Sequence, residues 1–191
     1  MFIARKYTDL LKRYPLLTKA ITGGILAFAS DFTSQTIEKR THVDTVGMLK
    51  IEGSQSFDYK RNIRFGLFNL IINVPILHYY TAHLLPKICP VTGVPTLLRK
   101  VAFDQIFAAP VFLTIFFGGL TLCEFRGMQA AVDKCRERLW PTLKTNWMIW
   151  PLVNLINFGL VPIHYQVLFS NVASFGWGTY LSYVQNALKQ Q

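Results

Sequence analysis

Charge is what this chain has least of. Only 16% of its 191 residues are Asp, Glu, Lys or Arg, against about 25% in an ordinary soluble domain. With 51% hydrophobic residues, 14% aromatics and a mean hydropathy of +0.29, the composition points away from a disordered chain and from a soluble globule. Cysteine is scarce as well. Cys89, Cys123 and Cys135 are odd in number and lack paired spacing, which excludes a disulfide framework and a cysteine metal site and leaves free thiols. Catalytic signatures are missing: there is no Gly-rich phosphate loop, no HExxH, no GxSxG, and His42, His78, His83 and His164 lack ligand spacing. The expectation is a protein that is not an enzyme, with no cofactor and no metal. At 21.9 kDa a multidomain enzyme is excluded too.

The charge that is present is lopsided, 20 Lys plus Arg against 10 Asp plus Glu for a net +10. Its distribution decides what it serves. Lys12 and Arg13, Lys39 and Arg40, Lys60, Arg61 and Arg64, Arg99 and Lys100, and Lys134, Arg136 and Arg138 border apolar stretches, which suits lipid headgroups. No recognition helix, zinc pattern or aromatic ribonucleoprotein motif accompanies them, so nucleic acid is not the expected partner. The opening MFIARKYTDLLKRYP is too interrupted for a secretory signal and no cleaved leader is expected. Its Arg5, Lys6, Lys12 and Arg13 suit either internal mitochondrial targeting or anchorage of an interfacial helix.

Apolar stretches long enough to span a bilayer follow one another. Leu16 to Ile37 is the weakest, interrupted by Asp31, but Gly23 and Ala27 have the small-xxx-small spacing of a helix packed inside a bundle. Thr41 to Asp58 reads as an exposed connecting loop. Phe65 to Pro86 holds 22 residues without a charged side chain, with Pro75 expected to kink it. Lys100 to Glu124 encloses 23 residues with only Asp104 charged, and a break or kink is expected at Pro110. In Phe125 to Lys144, Phe125, Met128, Val132, Cys135 and Leu139 recur at steps of three and four, the pattern of an amphipathic helix lying on a membrane surface with Lys134, Arg136 and Arg138 at lipid headgroups. Between Lys144 and Lys189 lie 44 residues with no charge. They hold a helical hairpin, or a span followed by a buried or interfacial helix. The expected fold is therefore an all-α integral membrane protein. It has a single membrane domain over 1–191, a bundle of about four transmembrane helices, an amphipathic interfacial helix at 125–144 and a hydrophobic C-terminal helix. Basic residues are nearly balanced between alternate loops and do not set the orientation.

Polar residues inside these stretches are the candidate functional residues: Asp31 and Gln35, Asn69 and Asn73, Asp104 and Gln105, Asn154 and Asn157. An Asp near a helix centre costs about 2.5–3.5 kcal/mol on insertion scales, so these groups are expected to face the bundle interior, a cavity or one another. Two readings stay open, a polar path for solutes and plain interhelical hydrogen bonding with Lys19 or Lys100 neutralising a nearby Asp. Trp147, Trp150, Asn154, Asn157 and Val161 form a further stripe at helical spacing.

The run NWMIWPLVNLINFGLVPIHYQ with the later WGTYLS resembles the C-terminal signature of the Mpv-seventeen and twenty-two-kilodalton peroxisomal membrane protein family. Trp147, Trp150, Pro151, Asn157, Phe158, Val161 and Pro162 match the first part, and Trp177, Tyr180, Leu181 and Ser182 the second. Tyr14 with Pro15, Asp31 with Gln35, Pro75 with His78, and Lys100 with Asp104, Gln105 and Pro110 resemble its upstream motifs. Asn154, Gln166 and Gly178 stand where the family has Gln, Arg and Asn, and Val74, Tyr80 and Thr81 replace Gly, Trp and Tyr. The resemblance implies an integral protein of the mitochondrial inner membrane, or alternatively of the peroxisomal membrane. It implies a weakly selective channel for small solutes that supports mitochondrial homeostasis; the alternative is a structural accessory subunit of a larger inner-membrane complex with no transport activity. Expected partners are membrane lipid, anionic such as cardiolipin, and a homo-oligomer or larger inner-membrane complex.

Overall fold

A computed structural model describes residues 2–46, 56–88, 94–161 and 166–186. All regular structure among them is helical. Helix α1 (Phe2–Arg13) gives way at Tyr14 to α2 (Pro15–Val46), which opens on a proline, where the missing N–H is no loss. After Gly24 no Gly or Pro occurs until Gly47, and α2 continues through Val46, past the start of the loop expected from Thr41; residues 47–55 lie outside the described ones. Helix α3 occupies 59–88, capped by Asp58, whose Oδ1 accepts from Arg61 N at 2.9 Å. Helix α4 occupies 94–123, α5 is Gly127–Gly159 and α6 is Gln166–Asn186.

The kinks expected at prolines take a specific form. A proline lacks the N–H and its ring crowds the carbonyl four residues back. Each of Pro75, Pro86 and Pro110 is preceded by a five-residue π turn, Asn69–Asn73, Tyr80–Leu84 and Asp104–Ala108 respectively, which contains that crowded carbonyl. The helices α3 and α4 run on through these widened turns. Pro141 and Pro151 likewise sit inside α5 without ending it.

Between α4 and α5 the chain reverses over Glu124 to Arg126, with Phe125 at φ +57° and Gly127 at φ +84°. Phe125 takes the left-handed conformation that a side chain seldom adopts, its ring 97% exposed. The stretch expected as a separate interfacial helix is therefore the first part of the 33-residue α5. It folds back along α4: Cys135 Sγ donates to the Thr114 carbonyl at 3.7 Å, and Ala131 and Leu143 are buried.

The apolar core is small and aromatic. Phe65 and Phe68 of α3 meet Phe116 of α4 edge-on, beside Ala27, Leu113, Phe117, Leu120, Leu143 and Leu181. Helices α2 and α3 close tightly, with a Cβ at Gly66 placed 2.4 Å from the Phe28 ring and one at Gly24 2.8 Å from Leu70. Beyond this core the usual distribution is inverted. Fourteen polar or charged residues are buried against thirteen hydrophobic ones among the described residues. Ile21, Ile25 and Phe32 of α2, Ile71 of α3, Ile106, Phe107 and Val111 of α4, Met148, Leu152 and Leu155 of α5 and Val172 of α6 are exposed. Polar inside and apolar outside is the arrangement that a hydrocarbon solvent selects. Leu98–Cys123 is the helix among the described residues that is long and apolar enough by itself to cross a membrane.

Candidate functional site

The polar residues of α2 recur on one face. Asp31, Ser34, Gln35 and Glu38 stand at i, i+3, i+4 and i+7, and all four are buried. Arg61, near the start of α3, closes this stripe. Its Nε donates to Asp31 Oδ1 at 2.8 Å, Nη1 and Nη2 donate to the two Glu38 oxygens at 2.7 Å each, and Nη2 also reaches Ser34 Oγ at 3.2 Å and Ser182 Oγ of α6 at 3.0 Å. Ser182 Oγ in turn donates to Asp31 Oδ1. The other carboxylate oxygen, Oδ2, accepts from Gln35 Nε2 at 2.9 Å and Asn62 Nδ2 at 3.1 Å. Gln35 is itself fixed by two bonds to the Asp58 backbone, 3.1 Å to the carbonyl and 2.8 Å from the N–H. One guanidinium thus ties together three helices and two carboxylates, and the cluster carries a net −1. Arg61 lies before the Phe65 to Pro86 stretch. Burial opposes its charge, but the Glu38 hydrogen bond and the Asp31 and Glu38 charges outweigh burial and raise its pKa above the ordinary value.

This corrects the expected ion partner. Asp31 is neutralised by Arg61, whereas Lys19 Nζ lies 3.4 Å from His78 Nδ1. The sequence singles out none of Ser34, Glu38 and Asn62, and it marks Arg61 only as a flanking cation and Ser182 only as a motif residue. The +3 and +7 steps from Asp31 carry the signal for Ser34 and Glu38, while Arg61 and Ser182 come from 30 and 151 residues away.

A second cluster joins α4 to α5. Gln105 Nε2 donates to Asp104 Oδ2 at 3.2 Å, Asn146 Nδ2 donates to Gln105 Oε1 at 2.8 Å, and the Tyr80 hydroxyl of α3 lies close to Asp104. The backbone explains Trp147. In a π turn the carbonyl of residue i pairs with the N–H of i+5, as Asp104 O does with Ala109 N. The next such donor is Pro110, which has none, so the Gln105 carbonyl is orphaned and the Trp147 indole N–H takes it at 2.8 Å.

The remaining expected path residues lie apart from these clusters. Asn69 Nδ2 donates to the Phe65 carbonyl and Asn73 Nδ2 to Asn69 Oδ1, both at 2.9 Å within α3. Asn157 Nδ2 donates to Ser170 Oγ of α6 at 3.0 Å, and Asn154 is half-buried. Of the three cations assigned to headgroups only Arg136 is exposed. Lys134 is buried and the Arg138 side chain is 17% exposed, because the stripe 134, 138, 142 turns inward. Several buried polar atoms have no hydrogen-bond partner among the described residues: Arg138 Nε and Nη2, Thr142 Oγ1, Asn157 Oδ1, Gln185 Oε1 and Asn186 Oδ1. An open apolar groove of about 500 Å³ runs along the outer side of the α4–α5 contact, lined by Gly118, Leu122, Val132, Leu139 and Trp140 with Arg136 beside them.

The C-terminal motif residues form the seam that holds α6. Trp150 meets Trp177 edge-on at 6.3 Å, Tyr180 Oη donates to Thr145 Oγ1 at 3.1 Å, Leu181 enters the core and Ser182 reaches Asp31. Pro151 sits within α5; the Phe158 side chain and Pro162 lie outside the described residues. At Gly178 a Cβ would stand 2.8 Å from Ser30 Oγ, so the Asn that the resemblance implies at this position would collide with Ser30 as it is placed here. Among the described residues no group of three or more His, Cys, Asp or Glu is placed to hold a metal ion.

Comparison with known proteins adds a consistent picture. The family model described as Mpv17 / PMP22 family matches residues 121–182. Peroxisomal membrane protein 2 of Bos taurus is 31% identical over 180 residues, covering 93% of this chain and 86% of its own. Protein SYM1 of Gibberella zeae is 33% identical, covering 95% of this chain and 97% of its own, and Protein SYM1 of Saccharomyces cerevisiae is 32% identical, covering 100% and 94%. No solved structure matches the chain.

Proposed function

This chain belongs to the Mpv17 / PMP22 family of organelle membrane proteins, and we propose that it is a weakly selective solute channel of the mitochondrial inner membrane, with the peroxisomal membrane as the alternative location. In this reading about four of its helices cross the bilayer. The observation that carries it is the inverted distribution of side chains. Helices α2, α5 and α6 fall short of a fully apolar span because each turns a polar stripe inward while its outer face stays apolar. Asp31 with Glu38 on α2, Asn146 with Asn157 on α5 and Ser182 with Gln185 on α6 are buried. Buried polar atoms left unpaired are costly in a purely structural bundle, and in a channel they are the groups that meet solute and water. The described conformation is then the closed form, with Arg61 as the plug between α2, α3 and α6. No catalytic constellation and no cofactor belongs to this reading.

Purified protein reconstituted into liposomes is expected to pass ions or small solutes, and Asp104→Asn is expected to lower cation preference, because a carboxylate in a narrow path raises local cation concentration. A folded parent that stays electrically silent and solute-tight would sink the channel. The second reading, a structural accessory subunit of a larger inner-membrane complex, is favoured by the well-satisfied Arg61 cluster and by the unfilled α4–α5 groove. Comigration of the native protein with a large complex in mild detergent, together with silent liposomes, is its signature.

A further inference from the structure

On α5, Lys134, Arg138 and Thr142 stand at i, i+4 and i+8 on one inward face. Two like charges one turn apart are mutually unfavourable on a helix, and both are largely removed from solvent. Their counter-charges come without hydrogen bonds: Arg138 pairs with its chain neighbour Glu137, and Glu137 and Glu124 attract Lys134, but neither cation makes a side-chain hydrogen bond among the described residues. In the Arg138 pair, Glu137 Oε1 lies 3.5 Å from Nε, too loosely placed to be a hydrogen bond. Of the other acids nearby, Asp133 accepts from Gln129 at 3.0 Å, and Glu124 is shared with Arg64 at 3.4 Å and Arg126 at 3.7 Å.

The Arg138 atoms that are buried and lack a hydrogen bond are Nε and Nη2. These are the two N–H groups on one edge of the guanidinium, the parallel fork that grips two oxygens of a carboxylate or phosphate. Thr142 adds a third donor. Thr33, Thr36, Thr114, Thr121, Thr145 and Thr179 all turn their hydroxyls back onto the carbonyl four residues earlier. Thr142 does not; its Oγ1 is buried, unpaired and one turn from Arg138.

We propose that the Arg138 fork, the Thr142 hydroxyl and the Lys134 ammonium form an inward-facing site for an oxyanion of the phosphate class, either a free phosphate-bearing solute or the headgroup phosphate of an anionic lipid. Arg138 supplies the bidentate grip, Thr142 a neutral donor and Lys134 a point charge one turn away. The site does not depend on permeability, since it is read by binding to the closed protein.

The test is calorimetric titration of the full chain in nonionic detergent with inorganic phosphate at constant ionic strength, with thermal unfolding run in parallel to verify the fold. The expected result is saturable binding. Arg138→Lys, which keeps the charge and loses the fork, is expected to weaken it about tenfold or more, Lys134→Gln to weaken it too, and exposed Arg136→Gln to leave it unchanged. Repeating the titration in nanodiscs separates the sources. Phosphate bound in neutral lipid but excluded by cardiolipin assigns the lipid phosphate, and equal binding in both assigns the free solute. Absence of saturable binding in neutral lipid and detergent, or equal weakening by Arg138→Lys and Arg136→Gln, overturns the site. Silent liposomes with phosphate binding intact would count against the channel alone.

Discussion

Removing Arg61 should damage this protein more than removing either carboxylate it holds, and the asymmetry follows from the charge count. The parent cluster holds two carboxylates and one guanidinium, with Asp31 fully buried and Glu38 nearly so. Arg61→Gln leaves two buried negative charges with no cation, the case in which breaking a buried pair costs about 3–5 kcal/mol. Asp31→Asn leaves Arg61 paired with Glu38 and a neutral cluster. Its cost comes from geometry: the amide nitrogen that replaces Oδ2 would face Gln35 Nε2 and Asn62 Nδ2, two donors. Neither can flip without loss, because Gln35 holds both backbone groups of Asp58 and Asn62 Nδ2 also donates to the Phe28 carbonyl at 2.9 Å. Loss of one charge-assisted set with donors opposed is worth about 1.5–3 kcal/mol. Arg61→Lys should fall between, since one ammonium cannot reach Asp31, Glu38, Ser34 and Ser182 together. Tryptophan fluorescence during heating in mild detergent reads the order. At about 2–4 °C per kcal/mol for a chain of this size, Arg61→Gln should melt about 6–20 °C below the parent. Parent-like melting of Arg61→Gln, or Asp31→Asn melting below it, would refute the reasoning.

Two further outcomes test other contacts. Trp147→Phe should destabilise by about 1–3 kcal/mol by orphaning the Gln105 carbonyl, and Pro110→Ala should rescue most of that by returning the π-turn N–H; additive effects in the double-mutant cycle would remove the link between proline and indole. Gly178→Ala should cost about 1–3 kcal/mol through its approach to Ser30, and Ser30→Gly should relieve it, so a Gly178→Ala variant as stable as the parent would show that α2 and α6 have room to separate.

Much of this interior was legible in the sequence and some of it was not, for one physical reason. Helical spacing tells which residues share a face, but not whether that face turns in or out. The stripe of Asp31 and Gln35 was readable as inward because a carboxylate on a lipid face is too costly. Lys134 and Arg138 were read outward, toward headgroups, because a charged face on an amphipathic helix normally meets water. The reversal at Phe125 and Gly127 lays that helix against α4 instead, and no local pattern marks a left-handed phenylalanine. Arg61 was read as a flanking anchor, since its partners are long-range. The prolines were visible, but that α3 and α4 continue through them as π turns depends on neighbours such as Trp147 accepting the work of the missing N–H.

Those π turns also set where each helix points its side chains. An α-helix advances about 100° per residue, so the one extra residue in each widened turn rotates everything after it by that amount. In α4, the segment Ala109–Cys123 is aimed at α3 and α5 by a rotation stored in Asp104–Ala108. A single-residue deletion there would restore a regular helix and leave Phe116, Phe117 and Leu120 aimed at the core, because the widened turn absorbs the one residue removed, whereas tightening the turn to α geometry at unchanged length would swing them out. For α3, with two such turns, the lower end is turned by about 200° relative to an uninterrupted helix. The proline that follows each five-residue window and keeps it wide is therefore under tighter constraint than the window's exact length.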